Sequence, residues 1–249
     1  MAHLWCMTME EGDAQRVEQT RRRSGDPFAL NAWHHTKDQG GHDWGWLAYL
    51  RGAFPDYPER ILRHNLEQVQ ARLDFMAADD QDPATYGDAY FQRRNPVTCE
   101  GLVQLTLGAP QPIYNGGLLH ARLRYFDVEG RRAGLPPDVA ALVEQLAADR
   151  TVVRLVNTSA TQSRALLLQA GAFGEHRFTE ARFQQRTSAW PGGLGGYAGT
   201  YSAEPVVREE AVLPLSDGRL EVELPPGTEL CLDLATQRYV NEPSYAQPL

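Results

Sequence analysis

The feature that most constrains this chain is a change of hydrophobic period part-way along it. Up to about residue 150 apolar side chains recur every three or four positions, and from Thr151 they alternate. Period 3.6 puts an apolar stripe on one side of a helix, whereas period 2 puts it on one face of a strand. A single 249-residue chain carrying both in succession is expected to be α+β, with a helical N-terminal half, residues 1–150, and a small antiparallel β-sandwich, residues 151–249.

The clearest helix spans residues 58–78, where Ile61, Leu62, Leu66, Val69, Leu73 and Met76 share helical spacing and Pro58 suits the first turn. A short buried helix is expected at residues 44–50, after the Gly40-Gly41 turn. Asn95 can cap a third helix that starts at Pro96 and stops at Gly108. Val139, Leu142, Val143 and Leu146 predict a fourth over residues 136–149. Residues 1–30 are expected as a poorly defined arm, in which Glu11 to Arg23, polar and without a clear apolar stripe, could be a frayed helix or a segment ordered by contact. Strands are expected at 151–157, 165–170, 175–183, 206–215, 219–224 and 229–234, with Ser216-Asp217-Gly218 and Pro225-Pro226-Gly227 as turns. Glu175 and His176 are expected on the sandwich surface.

Charge narrows the partners. The net charge of −8 and pI of about 5.4 argue against nucleic acid, because an acidic surface repels phosphate. Arg21-Arg22-Arg23 is better read as a solvated turn than as a patch. No membrane span is expected, since no run approaches the roughly 18 apolar residues one needs. The start does not resemble a signal peptide, so the expected compartment is the cytoplasm. Cys6, Cys99 and Cys231 are widely spaced and odd in number, as suits thiols in a reducing compartment.

Residues 31–54 hold the densest chemistry. His34, His35 and His42, with Asp38 and Asp43, could ligate a divalent metal such as zinc, manganese or calcium. Their HHxxDxxxHD spacing matches neither HExxH nor HxHxDH, and ordinary polar contacts in an aromatic turn explain it as well. Trp33, Trp44 and Trp46, with Tyr49 and Tyr57, could stack on sugar rings, although core packing is the competing explanation for each. Asp38, Asp43, Asp88 and Glu100 are then the candidate acid and base, since glycoside hydrolysis needs two carboxyl groups at a set separation. Elimination would instead use His34 or Tyr90 as base, with Arg93 neutralising a uronate. Asp79, Asp80 and Asp82 lack EF-hand spacing and read as a solvated loop. Ser159 and Ser163 have no GxSxG context.

The segments NPVTCEGLVQLTLGAPQPIYNGG and LVNTSATQSRALLLQAGAFGEH, set in a helices-then-sandwich order, give the chain a family likeness. It resembles the C-terminal part of a larger bacterial protein similar in plan to heparinase-type lyases and helical-toroid glycosidases. The resemblance is one of layout over residues 31–249, and this chain has room for only about four helices of such a toroid. It implies a hydrolase or lyase acting on a carbohydrate. The alternatives are a metal-assisted hydrolase of a small ester or lactone, and a non-catalytic module that binds a glycan or a protein. A homo-oligomer is a candidate assembly, through an exposed helical face.

Overall fold

A computed structural model describes residues 2–22, 43–87, 90, 100–110, 116–186 and 208–249, apart from the side chains of residues 20–22, 43, 44, 100 and 186. Among them are five α-helices: α1 Ala2–Thr8, α2 Glu11–Arg22, α3 Asp43–Leu50, α4 Tyr57–Ala77 and α5 Glu100–Leu107. Nine strands follow: β1 Leu123–Asp127, β2 Arg132–Ala133, β3 Val139–Leu146, β4 Arg150–Asn157, β5 Arg164–Ala170, β6 Arg177–Arg186, β7 Arg208–Pro214, β8 Arg219–Leu224 and β9 Glu229–Gln237. The protein is α+β, helical first and sandwich second.

Local chemistry explains the helix ends. Pro58 lies in the first turn of α4, where its missing N–H costs nothing. Gly108 closes α5 at φ +63°, a left-handed conformation that costs glycine little, and its N–H donates to the Gln104 carbonyl at 3.2 Å. Of the two forms open to this polar segment, a frayed helix or an arm, residues 11–22 take the helix, α2. Its burial is carried by Ala14, Val17 and Asp13, whose carboxylate accepts from the Thr8 hydroxyl at 2.6 Å.

The strands build two antiparallel sheets, in the orders β2-β1-β5-β8 and β3-β4-β9-β6-β7. Their inner faces meet. Leu123, Tyr125, Leu166, Leu168 and Leu224 of the first sheet pack against Val153, Leu155, Phe178, Leu232 and Leu234 of the second. Closing these faces against each other removes apolar surface at about 25 cal/mol per Å², the main driving force for this half.

The helix expected over residues 136–149 is a strand, β3, and the sheets begin at Leu123, ahead of the expected boundary at 150. The reason lies in burial on both sides. Ala141 and Val143 face the sandwich core, while Leu142 and Leu146 pack against the helical layer. A strand covered on both faces loses its alternation and imitates a helix in sequence. A bulge between Val143 and Gln145 breaks the period further.

The helical layer has its own core. Trp5 and Trp46 meet edge to face with centroids 5.6 Å apart, beside Leu47, Phe54, Tyr57, Ile61 and Leu105. Helices α4 and α5 approach closely because position 101 is glycine. A Cβ there would come within 2.6 Å of the Asn65 amide and 2.9 Å of Ile61. Across this contact the Tyr57 hydroxyl donates to Gln104 Oε1 at 2.5 Å, with both side chains buried. The Tyr125 hydroxyl donates to the Thr106 carbonyl at 2.7 Å and joins the layers. None of the described helices is long and apolar enough to cross a membrane.

Candidate functional site

The site is built at one end of the sandwich, where the β5–β6 loop, the β7–β8 turn and the segment after β9 converge. The loop reads Gly171-Ala172-Phe173-Gly174-Glu175-His176. Gly171 and Gly174 have φ of +87° and +73°. Glu175 folds back beneath them: its carboxylate accepts from the Ala172 N–H at 3.2 Å and the Phe173 N–H at 2.7 Å. A Cβ at residue 171 would stand 2.5 Å from that carboxylate, so glycine is needed there both for its backbone and for its missing side chain.

Backbone bonds then lock the other two segments onto the loop. The Val240 and Asn241 N–H groups donate to the Glu175 carbonyl at 3.0 and 3.2 Å, and the Ser244 N–H donates to the Phe173 carbonyl at 2.9 Å. The Asn241 amide donates to the carbonyls of Gly174 at 3.0 Å and His176 at 2.8 Å. In the β7–β8 turn the Gly218 carbonyl accepts from Ala170 N–H at 2.7 Å, and the Asp217 carbonyl from Phe178 N–H at 3.0 Å.

These segments enclose an open cleft of about 290 Å³. Gln169, at the end of β5, forms part of its lining; it is buried, with its amide nitrogen directed to the Gly171 and Ala172 carbonyls at 3.4 and 3.3 Å. Asp217 and Arg219 contribute from the turn, and Asn241, Glu242 and Ser244 from the segment after β9. Phe173 supplies an aromatic edge, tilted against Tyr245 with centroids 5.0 Å apart, and Tyr245 is 89% exposed. The cleft thus carries two carboxylates, one guanidinium and two amides beside an apolar ring.

A buried layer of charge supports the loop. Arg122, just ahead of β1, is 3% exposed, and among the described residues its two terminal nitrogens have no hydrogen-bond partner. Burial, with Arg238 nearby, lowers its pKa to about 10, which leaves it cationic at neutral pH. His176 is also buried. Its Nδ1 accepts from the Tyr239 N–H at 3.1 Å, and its Nε2 lies 3.9 Å from Glu175 Oε1. Desolvation, reinforced by Arg122, pushes the imidazole down to about 4, so it is neutral near pH 7. Glu175 and His176, expected on the surface, are corrected to this interior.

The residues expected to carry chemistry fall differently. Trp33, His34, His35, Asp38, His42, Asp88 and Arg93 lie outside the described residues. Asp43 and Trp44 open α3 and Glu100 opens α5, with their side chains outside the description. Trp46 is a correction. It is fully buried against Trp5 and has no ring face to offer a sugar. Tyr49 and Tyr57 likewise pack in the helical layer, their rings 6.2 Å apart. Tyr90 stacks on Tyr86 at 3.4 Å, and a hydrogen bond with that neighbour raises its phenol pKa, which works against a role as base. Among the described residues no group of three or more His, Cys, Asp or Glu side chains could hold a metal ion. Burial pushes the Cys231 thiol up.

Residue-by-residue reasoning missed Gln169, Asp217, Arg219 and Glu242. A signal was present: a lone glutamine in LLLQA, followed by two glycines and then a Glu-His pair. A polar residue inside an apolar strand marks a place where the sheet ends in something other than core.

A family model described as Domain of unknown function (DUF8034) matches residues 1–103. The match spans the helical half to the start of α5 and stops ahead of the sandwich and its cleft. No curated protein and no solved structure matches the chain.

Proposed function

We propose that this protein binds a carbohydrate, with the sandwich-end cleft holding one or a few neutral sugar units. The observation that carries this reading is the make-up of the cleft lining. Every sugar hydroxyl both donates and accepts, so it is best met by carboxylates that accept, a guanidinium that donates, and amides that do both. Asp217 and Glu242 accept and Arg219 donates, while Gln169 and Asn241, whose amide N–H groups are held by loop carbonyls, offer their side-chain oxygens as further acceptors. The C–H face of a pyranose favours an aromatic ring, and Phe173 stands at the edge with Tyr245 beside it. Two carboxylates against one arginine disfavour a uronate or phosphate and favour a neutral ligand. The backbone bonds that pin the three segments reduce the ordering cost of binding.

Turnover is the enzymatic form of the same reading. Hydrolysis would draw its acid and base from Asp38, Asp43, Asp88 and Glu100, and elimination its base from His34. The metal-assisted alternative rests on His34, His35 and His42, which lie outside the described residues.

The test is a panel of neutral and acidic glycans followed by calorimetry on the best binder. A neutral sugar is expected to bind, with affinity falling at least about tenfold in Arg219→Ala and Glu242→Ala. Failure of the whole panel to bind, or unchanged affinity in both variants, overturns the assignment. Release of reducing ends or unsaturated products from the bound glycan separates an enzyme from a binding module.

A further inference from the structure

Arg122 carries a charge that the fold buries and leaves without an acceptor. Its backbone is fixed at both ends. The Arg122 N–H donates to the Leu107 carbonyl at the end of α5 at 2.8 Å, and its carbonyl accepts from the Gly171 N–H at 2.9 Å. The side chain lies within electrostatic reach of Cys6 in α1, Glu175 in the β5–β6 loop, and Arg238 and Tyr239 after β9. The residue is 3% exposed, and Nη1 and Nη2 have no hydrogen-bond partner among the described residues. Buried polar groups are nearly always hydrogen-bonded, and a buried charge is costly unless it is also paired.

The neighbouring groups are already engaged. The Glu175 carboxylate accepts from the Ala172 and Phe173 N–H groups. The carbonyls of Cys6, Met7 and Thr8 accept from Arg238, whose guanidinium brings a second positive charge to the junction. His176 is neutral near pH 7 and offers no counter-charge. Two guanidinium groups therefore face one carboxylate, which leaves one positive charge unbalanced. A water molecule would meet the two terminal nitrogens but not that charge. A small anion meets both, because both terminal nitrogens of a guanidinium can point at one acceptor. A single negative charge matches the surplus, and a monoanion leaves water more cheaply than a doubly charged phosphate.

We propose that Arg122 holds a small inorganic monoanion such as chloride, at the junction of α1, the β5–β6 loop and the segment after β9. The bound ion completes the contact between the helical layer and the sandwich. The inference is independent of the sugar-binding cleft, which Arg122 does not line. Urea unfolding of the full chain at constant ionic strength tests it, with sodium chloride exchanged for sodium gluconate, whose anion is too large for an enclosed site. An ion that binds only the folded chain, with a Kd of about 10 mM, lowers the unfolding constant about twentyfold at about 200 mM. Bromide, close to chloride in size, is expected to act alike, and Arg122→Met is expected to abolish the difference between the salts. Equal unfolding constants in chloride and gluconate overturn the proposal, as does a chloride effect that survives in Arg122→Met. Diffraction from wild-type crystals soaked in bromide gives a reading that needs no variant. An anomalous peak in contact with both terminal nitrogens of Arg122 is expected. Water or a protein oxygen in that place, without an anomalous signal, overturns the proposal as well.

Discussion

The imidazole of His176 and the backbone of Tyr239 are joined by one hydrogen bond, with Nδ1 accepting from the Tyr239 N–H at 3.1 Å. Tyr239 sits at φ +55°, uncommon for a residue with a side chain, and its ring meets the imidazole edge to face at 4.8 Å. This contact sets the turn that carries the segment after β9 back over the cleft. It requires a neutral histidine, because a protonated Nδ1 donates and cannot accept.

Stability is therefore expected to fall with acid. Arg122, Arg238, Glu175 and Tyr239 surround His176, and its pKa in the fold is about 4 against an ordinary 6.5. As pH drops through 6.5 the unfolded chain takes up the proton first. The contribution is whole above about 6.5, is lost between 6.5 and 4, and is level below that. The loss is about 3 kcal/mol. Urea unfolding from pH 7.5 to 4 should show it in the wild type and show it flattened in His176→Asn. Parallel curves for the two proteins would sink this assignment.

Gly171→Ala is expected to destabilise the protein by at least about 2 kcal/mol, since the new Cβ meets both an unfavourable backbone and the Glu175 carboxylate. Gly227→Ala is the control, with φ +62° and open space around it, and should cost about 1 kcal/mol. Equal losses in denaturant midpoint would mean that the Glu175 contact carries no weight.

Arg238 reaches from the sandwich to the end of α1. Its guanidinium donates to the carbonyls of Met7 at 2.8 Å and of Cys6 and Thr8 at 3.2 Å, meeting the partial negative charge at a helix C-terminus. Arg238→Ala is expected to cost about 2 kcal/mol and to speed amide exchange in α1 ahead of the rest. Arg238→Lys should recover only part, for want of the planar fork. Unchanged exchange in α1 would refute the anchoring role.

Tyr57→Phe removes the buried hydroxyl that meets Gln104 between α4 and α5. A loss of about 1 to 2 kcal/mol is expected, read by thermal or urea unfolding. No loss would show that the glycine-mediated approach at Gly101 holds the two helices unaided.

Several of these residues were visible in sequence for the wrong reason, or not at all. Helix α4 was legible from its heptad spacing, but the face so marked is the open one, and Asn65 and Arg72 lie inside. Burial on a helix depends on where its neighbours stand, which the spacing of one segment cannot express. Trp46 attracted a sugar-binding assignment through its aromatic neighbours, and packing against Trp5 made it core. The cleft residues come from positions 169, 173–174, 217–219 and 241–246, and no local pattern links segments that meet only in the folded chain.

The sequence by itself determined the order of helices and then strands, both ends of α4, the glycine stop of α5, and six of the nine described strands. Those are properties of adjacent residues: period, proline at a first turn, glycine after a last one. Tertiary structure alone decided that residues 139–146 are a strand, because two cores compete for its two faces. It also decided that Glu175 and His176 lie inside, because Gly171 leaves room for the carboxylate and Tyr239 supplies the donor. Both outcomes rest on contacts between residues far apart in the chain, which exist only once the sheets have closed.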